Sequence, residues 1–248
     1  MIADVITIFP ELVEAALAAG VVGRARERGV VDIRVRNLRD YTDDRHRTVD
    51  DMPYGGGPGM VMKPEPIVRA IEAIAVERGA PSAVVLVTPQ GRMLTHAIAE
   101  EMSRMDRLIL LCGRYEGVDE RVTEMVVTHE VSIGDYVLTG GELPALVVLD
   151  AVARFVPGVV GDEQSVAQDS FSRGLLDFPQ FTRPPEIADL RVPDVLLSGN
   201  HAEIRRWRKR EALSRTLERR PDLLDDARLD EEERQMLREI KGARHGRD

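Results

Sequence analysis

Short apolar runs alternate with amphipathic segments over the first two thirds of the chain. The runs predict five strands, at Asp4–Phe9, Asp32–Arg36, Ala83–Val87, Leu108–Cys112 and Glu130–Ile133. Helices are predicted between them, near residues 10–19, 66–78, 92–105, 119–125 and 142–155. Regular strand–helix alternation is typical of an α/β fold with a mainly parallel sheet and helices on both faces.

Two stretches lack this alternation. Residues 39–59 show no periodicity and include a glycine- and proline-rich loop from Asp50 to Gly59. Beyond Pro157 the chain continues as a linker to about Leu176, and helical periodicity returns near residues 203–218 and 230–241. We therefore predict an α/β domain at 1–160, a linker at 161–176 and a small helical domain at 177–248.

Glycine-containing loops follow the predicted strands. They are Thr88–Gly91, Gly113–Asp119, Ser132–Leu138 and Thr139–Pro144. In an open parallel sheet, ligands bind beyond the carboxyl ends of the strands, where these loops fall. Glycine lets the backbone approach a ligand closely, so the loops predict a pocket for a flat, polar small molecule.

The composition of the chain predicts where the protein is located in the cell. The chain has 248 residues, 43% of them hydrophobic, and a single cysteine, Cys112, which predicts a reducing, cytoplasmic location. No leader peptide is apparent at the N-terminus, and the most apolar long segment, 141–160, contains Glu142, Asp150 and Arg154. We expect a soluble protein with no membrane partner.

Charge is unevenly distributed. The net charge is −9, yet residues 201–220 hold eight Lys or Arg against three Glu, a local balance of 8 − 3 = +5. A local basic face binds phosphates whatever the global sign of the charge. A solvated helix face with internal ion pairs remains open as the alternative interpretation.

Several common sites are excluded by missing motifs. The sequence contains no GxxxxGK[ST] phosphate loop, no G-x-G-x-x-G between a first strand and helix, and no G-x-S-x-G elbow. The five histidines are scattered and there is one cysteine, so no metal site is predicted.

Several sequence blocks, in this order, resemble one family. They are Asp44–Asp51, Gly113–Gly117, Ser132–Leu138, Gly140–Pro144, Asp169–Phe171 and Leu197–Ile204. Together they are similar to the bacterial tRNA (guanine-N1)-methyltransferases, the TrmD family of the SPOUT class. The resemblance covers essentially the whole chain. One departure is Gln180, which stands where the family often has histidine.

The resemblance implies a deep trefoil knot in the strand-end loops, S-adenosylmethionine as methyl donor, and a homodimer with its active site at the subunit interface. It implies methylation of N1 of guanosine 37 in tRNA, and it leaves a requirement for Mg²⁺ open. The implied cofactor-binding residues are Leu86, Thr88, Pro89, Gln90, Gly113, Tyr115, Glu116, Ser132, Ile133, Gly134, Asp135, Tyr136, Val137, Leu138, Gly140, Gly141 and Pro144. We expect Gly134, Gly140 and Gly141 to adopt positive φ and so permit recognition by backbone groups.

The resemblance also assigns the chemistry. Asp169 is the implied general base for the N1 proton, and Arg154 stabilises the charge that develops at O6. The implied tRNA-binding residues are Arg45, His46, Arg47, Gly57, Ser165, Ser170, Asn200, His201, Arg205, Arg208 and Lys209. For Trp207, packing is favoured over stacking on RNA. Two alternatives stay open: a SPOUT methyltransferase of another RNA position, and a non-enzymatic RNA-binding module.

Overall fold

The structure, a computed structural model, describes residues 1–161 and 169–245. It divides into two compact units, Met1–Glu163 and Gln164–Asp248. In the described residues, no helix is long and apolar enough to cross a membrane.

The first unit is built on a five-stranded sheet in the order β2-β1-β6-β5-β7, with every neighbouring pair parallel. Its strands are β1 (Ile2–Thr7), β2 (Asp32–Asn37), β5 (Ala83–Met93), β6 (Arg107–Cys112) and β7 (His129–Ser132). Between β2 and β5 along the chain, β3 (Asp50–Asp51) and β4 (Val61–Met62) form a short antiparallel hairpin. The predicted α/β class and parallel sheet are confirmed.

Helices cover both faces of the sheet. They are α1 (Pro10–Leu17), α2 (Gly20–Glu27), α3 (Pro64–Arg78), α4 (His96–Ser103), α5 (Glu120–Met125) and α6 (Glu142–Ala153). Val85 belongs to an apolar cluster with Val13 of α1 and Val148 of α6, whereas the next residue, Leu86, packs in a second cluster with Ile67 of α3. Alternate residues of β5 therefore face opposite layers, which explains its unbroken apolar sequence.

Three predictions for this unit need correction. β5 does not end at Val87 but resumes at Arg92 after an irregularity, because its last residues pair again with β7. Helix α2 went unpredicted, since its sequence mixes glycine, valine and arginine without a clear apolar stripe. The non-periodic segment 39–59 also contains structure, a 3₁₀ turn at Leu38–Tyr41 and the strand β3.

The second unit is mostly helical. Its helices are α7 (Asp194–Leu197), α8 (His201–Arg219), α9 (Leu223–Asp226) and α10 (Glu231–His245). The prediction of a small helical domain did not include β8 (Glu186–Ile187) and β9 (Leu190–Arg191), which form an antiparallel hairpin. Its apolar core is small and consists of Leu175, Leu213, Met236 and Ile240, with partly buried neighbours.

Candidate functional site

A cavity of about 290 Å³ lies where β6 and β7 end and where β5 leaves its pairing with β7 after Val87. That volume is close to the lower limit, roughly 300 Å³, of typical small-molecule sites. Every predicted cofactor-binding residue except Asp135 lines it: Leu86, Thr88, Pro89, Gln90, Gly113, Tyr115, Glu116, Ser132, Ile133, Gly134, Tyr136, Val137, Leu138, Gly140, Gly141 and Pro144. The predicted loops therefore converge on one cavity, which we call the loop cavity.

One wall of the loop cavity comes from an excursion within β5. The strand pairs with β7 up to Val87 and again from Arg92, so Thr88–Gly91 leaves the ladder and returns to it. Gly91 is required for this path, since a Cβ there would lie 2.5 Å from the carbonyl carbon of Glu130. The excursion is anchored at both ends by the sheet.

The glycines of the loop cavity act in two different ways. Gly134 has φ 152°, as expected, and the Tyr136 ring lies where its Cβ would be. For Gly141 the expectation of positive φ was wrong, because its φ is −82°. It is instead constrained by close approach, since a Cβ would lie 2.7 Å from Cys112 Cα and 2.8 Å from Gly113 N.

Gly140 follows the same rule as Gly141. It is not among the residues with positive φ, and a Cβ there would collide with the Arg114 side chain. The backbone of this segment is bonded to the end of β6, with Gly141 N donating to Gly113 O at 2.8 Å. Shape at this end of the loop cavity is therefore set by backbone packed on backbone at Gly141 and by the Arg114 side chain at Gly140.

A buried carboxylate fixes an arginine at the wall of the loop cavity. Glu142, the first residue of α6, is only 1% exposed. Arg114 Nε donates to its Oε2 at 2.9 Å, and Thr7 Oγ1 donates to its Oε1 at 2.7 Å. Arg114 also donates from Nη1 to Thr139 O at 3.0 Å and lies 4.5 Å from the centre of the Phe9 ring.

Arg114, Glu142 and Thr7 had no role among the residues predicted from the sequence. A charged residue at the start of a mostly apolar helix was the signal available for Glu142. Its partners could not be found from spacing, because Thr7 is 135 residues away along the chain.

The second wall is braced by the β3–β4 hairpin. Glu116 N donates to Met60 O at 3.0 Å, and Met62 N donates to Gly117 O at 2.9 Å. Tyr115, which directly precedes these bonded residues, adopts φ 61°, an unusual value for a residue with a bulky side chain. Strained backbone of this kind concentrates at functional sites.

Beneath the loop cavity lies the single cysteine. Cys112 is fully buried at the end of β6. Burial raises the pKa of its thiol well above the ordinary value, and the nearby negative charge of Glu142 raises it further. The thiol is therefore protonated at neutral pH and unreactive.

Arg154 directly follows α6, at the opposite end from the loop cavity. The helix begins next to Gly141 and runs for twelve residues. At 1.5 Å per residue, Arg154 lies about 18 Å along the axis from Glu142. Among the described residues, the structure thus does not bring Arg154 to the loop cavity of its own chain.

The predicted tRNA-binding residues of the first unit lie in two exposed loops. Asp44 accepts hydrogen bonds from the backbone N–H groups of His46 and Thr48, both at 2.9 Å, which orders the loop carrying Arg45 and His46. These bonds, that from Thr48 first, hold the pKa of Asp44 below its usual value. Arg47 forms an ion pair with Asp40.

Gly57 lies in the glycine-rich loop between β3 and β4, with φ 122°. Ser165 lies outside the described residues.

In the second unit, a cavity of about 580 Å³ gathers other predicted residues. We call it the carboxylate cavity, because Asp169, Asp177 and Glu233 line it together with His201, Arg205, Arg208 and Lys209. Nearby, Ser170 Oγ accepts from Asp177 N at 2.9 Å, and Asn200 caps α8 by accepting from Ala202 N at 3.2 Å.

The basic residues of α8 differ in their partners. Lys209 Nζ lies 2.7 Å from Asp230 and 2.9 Å from Glu232, and these bonds raise the pKa of the lysine. Within the described ranges, Arg205 and Arg206 form no ion pair with a carboxylate. The ion-paired alternative thus fits Lys209, whereas the two arginines have no carboxylate partner among the described residues.

The whole chain is similar to known tRNA methyltransferases. Residues 1–226 match the family model described as tRNA (Guanine-1)-methyltransferase TrmD. Proteins named tRNA (guanine-N(1)-)-methyltransferase are 53% identical in Dictyoglomus turgidum, covering 96% of both chains, and 55% identical in Pelotomaculum thermopropionicum, covering 96% of this chain and 95% of the relative. The protein of that name in Bacillus licheniformis is 51% identical, with 96% and 98% covered. The chain therefore belongs to the tRNA (guanine-N1)-methyltransferase family, TrmD, and is a methyltransferase enzyme.

Proposed function

We propose that this enzyme transfers the methyl group of S-adenosylmethionine to N1 of guanosine 37 in tRNA. The observation that carries the proposal is the loop cavity, whose walls are the same loops that resemble the family's cofactor-binding segments. Family membership supports methyl transfer to tRNA guanine. Position 37 and the roles of individual residues are the part we propose.

The residues of the loop cavity fit S-adenosylmethionine. Leu86, Val137 and Leu138 offer apolar surface for an adenine ring, and the backbone approaches closely at Gly140 and Gly141. Arg114 and Glu116 carry opposite charges on one wall, which matches the carboxylate and ammonium groups at the amino-acid end of the donor. When bound, S-adenosylmethionine supplies an electrophilic methyl group on a positively charged sulfur.

We propose that Asp169 accepts the proton of guanine N1 and that Arg154 donates hydrogen bonds to O6. A carboxylate is a weak base for this proton, so a guanidinium at O6 is needed to stabilise the charge that builds as N1 becomes nucleophilic. Both groups act only on the RNA base, and neither is needed to hold the donor.

We further propose a homodimer with shared active sites. Since Arg154 lies about 18 Å along α6 from the start of that helix, the loop cavity of a second copy is the one it would serve. An apolar surface supports such pairing, because Leu143 and Val147, one turn apart on α6, are 55% and 45% exposed. In a two-fold dimer the partner subunit's Asp169 would complete each cavity, giving two equivalent sites.

The trefoil knot belongs to the same proposal. After β7 the chain passes through residues 133–141 and returns to the end of β6, where Arg114 and Gly140 form an isolated bridge. Threaded connections are rare, and this return supports the proposal that the segment is threaded. We propose residues 1–160 as the catalytic domain, 161–176 as the linker and 177–248 as the tRNA-binding domain.

A methylation assay with tRNA transcripts tests the function. The transcript with guanosine at position 37 should yield 1-methylguanosine, detected by mass spectrometry of its nucleosides, and one with adenosine there should yield none. Parallel reactions with Mg²⁺ and with a chelator measure the metal requirement. A methyl group on a ribose or at another position would replace this proposal with the alternative SPOUT activity.

Complementation tests the shared site. An Asp169→Ala subunit and a Gly141→Val subunit should each be inactive, and mixing them should restore activity, because one cavity then holds an intact donor site and the partner's base. Light scattering and a tagged-subunit pull-down must first show that the subunits exchange. With exchange verified, absence of restored activity would contradict the shared site.

A further inference from the structure

The second unit contains another cavity that no part of the proposed chemistry uses. It measures about 570 Å³, and three aromatic rings, of Phe178, Phe181 and Trp207, line it. Two arginines, Arg183 and Arg208, also line it. We call this the aromatic cavity.

Its rings are available to a ligand. Phe181 is 47% exposed, unusually high for a phenylalanine in a cavity wall. It contacts Trp207 obliquely, with ring centres 6.2 Å apart at an angle of 54°. The two rings thus pack at a tilt, and nearly half of the Phe181 surface is accessible to a ligand.

The charged side chains that line the aromatic cavity in the described ranges are both arginines. Among the described residues, no aspartate or glutamate lines the aromatic cavity, although the chain carries 43 such residues and a net charge of −9. Arg208 lies 4.8 Å from the centre of the Phe178 ring, and in the part of the chain that the structure describes Arg183 forms no ion pair. Both guanidinium groups can therefore pair with an anion.

Its position links it to the site of the proposed reaction. Phe178, Ile204 and Arg208 line both the aromatic cavity and the carboxylate cavity that contains Asp169. The two cavities share a wall within the second unit of the chain. An RNA strand whose reacting nucleotide lies near Asp169 can therefore place a neighbouring nucleotide on the aromatic rings.

We propose that the aromatic cavity binds one unpaired nucleotide of the RNA substrate. The base stacks on Phe181 beside Trp207, and its phosphate pairs with Arg183 and Arg208. The inference rests on the proposed function only in taking RNA as the substrate. Aromatic rings with arginines and without carboxylates are the combination that single-stranded RNA requires, since every base has a stacking face and every linkage an anion.

Trp207 makes the proposal directly measurable, because it is the only tryptophan in the chain. The full chain is titrated with a fluorescently labelled RNA hairpin with an unpaired loop, derived from the substrate, and with a perfectly paired duplex of equal length. Anisotropy of the label reports binding, and emission of Trp207 reports the aromatic cavity. We expect the hairpin to quench Trp207 and the duplex to bind without quenching it.

Two variants separate stacking from charge. Phe181→Ala should weaken hairpin binding roughly 5- to 150-fold, the loss expected for one stacked base, and leave the salt dependence unchanged. Arg183→Gln should lower the slope of log affinity against log salt by about 0.7, as expected when one phosphate of a single strand is no longer neutralised. Leu190→Ala is the matched control, since Leu190 is 79% exposed on β9 and lines neither cavity.

The outcomes also separate this inference from the proposed function. Hairpin binding without Trp207 quenching and without weakening in Phe181→Ala would overturn the nucleotide site and leave methyl transfer intact. Failure of any tRNA to bind or be methylated would instead overturn the proposed function. If Phe181→Ala lowers the mass measured by sedimentation with RNA affinity unchanged, the aromatic cavity is a contact between two copies of the chain. Should Phe181→Ala unfold, wild-type quenching and the Arg183→Gln slope still decide the question.

Discussion

The two units of this enzyme use opposite means to prepare a surface for a ligand. In the first, two apolar clusters sandwich a parallel sheet, and the loop cavity is shaped by backbone segments in contact, as at Gly141 and Cys112. In the second, a core of four buried apolar residues supports cavities lined by charged and aromatic side chains. Ligand binding in the first unit should therefore be sensitive to volume, and in the second to charge and salt.

The largest effect is expected at Gly141, where the neighbouring backbone leaves no space for a side chain. Gly141→Val should abolish S-adenosylmethionine binding, because its Cβ would lie 2.7 Å from Cys112 Cα, and backbone atoms cannot move aside cheaply. Isothermal titration calorimetry measures the loss. Gly161→Val is the matched control, since no atom of the described residues lies within 4 Å of a Cβ there. Equal affinity in both variants would show that close packing at Gly141 does not shape the binding site.

The second-largest effect is expected on turnover when the proposed general base of the second unit is removed. Asp169→Ala should reduce turnover by about 10²- to 10⁴-fold, the usual range for loss of a general base. Affinity for S-adenosylmethionine should stay unchanged, because a general base acts on the RNA base in the transition state and does not hold the donor. Asp226→Ala, an exposed acidic residue of the same unit, serves as control. Near wild-type turnover in Asp169→Ala would refute its assignment as base.

A smaller effect is expected at Glu142. Glu142→Gln keeps the size of the side chain but removes the charge that holds Arg114, a hydrogen bond worth about 1.5–3 kcal/mol. Donor affinity should fall roughly 10- to 100-fold. If Glu142 acts through Arg114, the double variant with Arg114→Ala should bind no more weakly than Arg114→Ala alone. Additive losses in calorimetry would mean that Glu142 acts independently of Arg114.

The smallest effect is expected on the salt dependence of tRNA binding. Neutralising Arg205, Arg206 and Arg208 together should weaken tRNA binding and lower the slope of log affinity against log salt by roughly 0.7–0.9 for each phosphate that is no longer paired with a cation. Lys209→Ala should leave the slope unchanged, because Asp230 and Glu232 already balance its charge. A salt titration in which Lys209→Ala flattens the slope as much as an arginine variant would contradict this division.

The same difference between the units explains what the sequence could predict. The strands and the loops after them are readable because apolar runs and glycines are local signals, and parallel strands must bring their carboxyl ends to one edge. The requirement for glycine at position 141 is not a local signal, since the atoms that exclude a side chain there come from Cys112 and Gly113. The pairing of Lys209 with Asp230 is likewise invisible from composition, which counts charges without showing which of them meet.

Cys112 gives the first unit a reporter that needs no substrate. Its protonated thiol is fully buried, and its Cα packs against Gly141 at the start of α6, so an alkylating reagent can reach the thiol only when the sheet opens. The rate of alkylation therefore measures how often the end of β6 separates from α6. A ligand that binds only the closed form must slow this rate by the factor 1 + [L]/Kd. A thiol assay would then rank donor analogues by affinity even in variants that have lost all turnover.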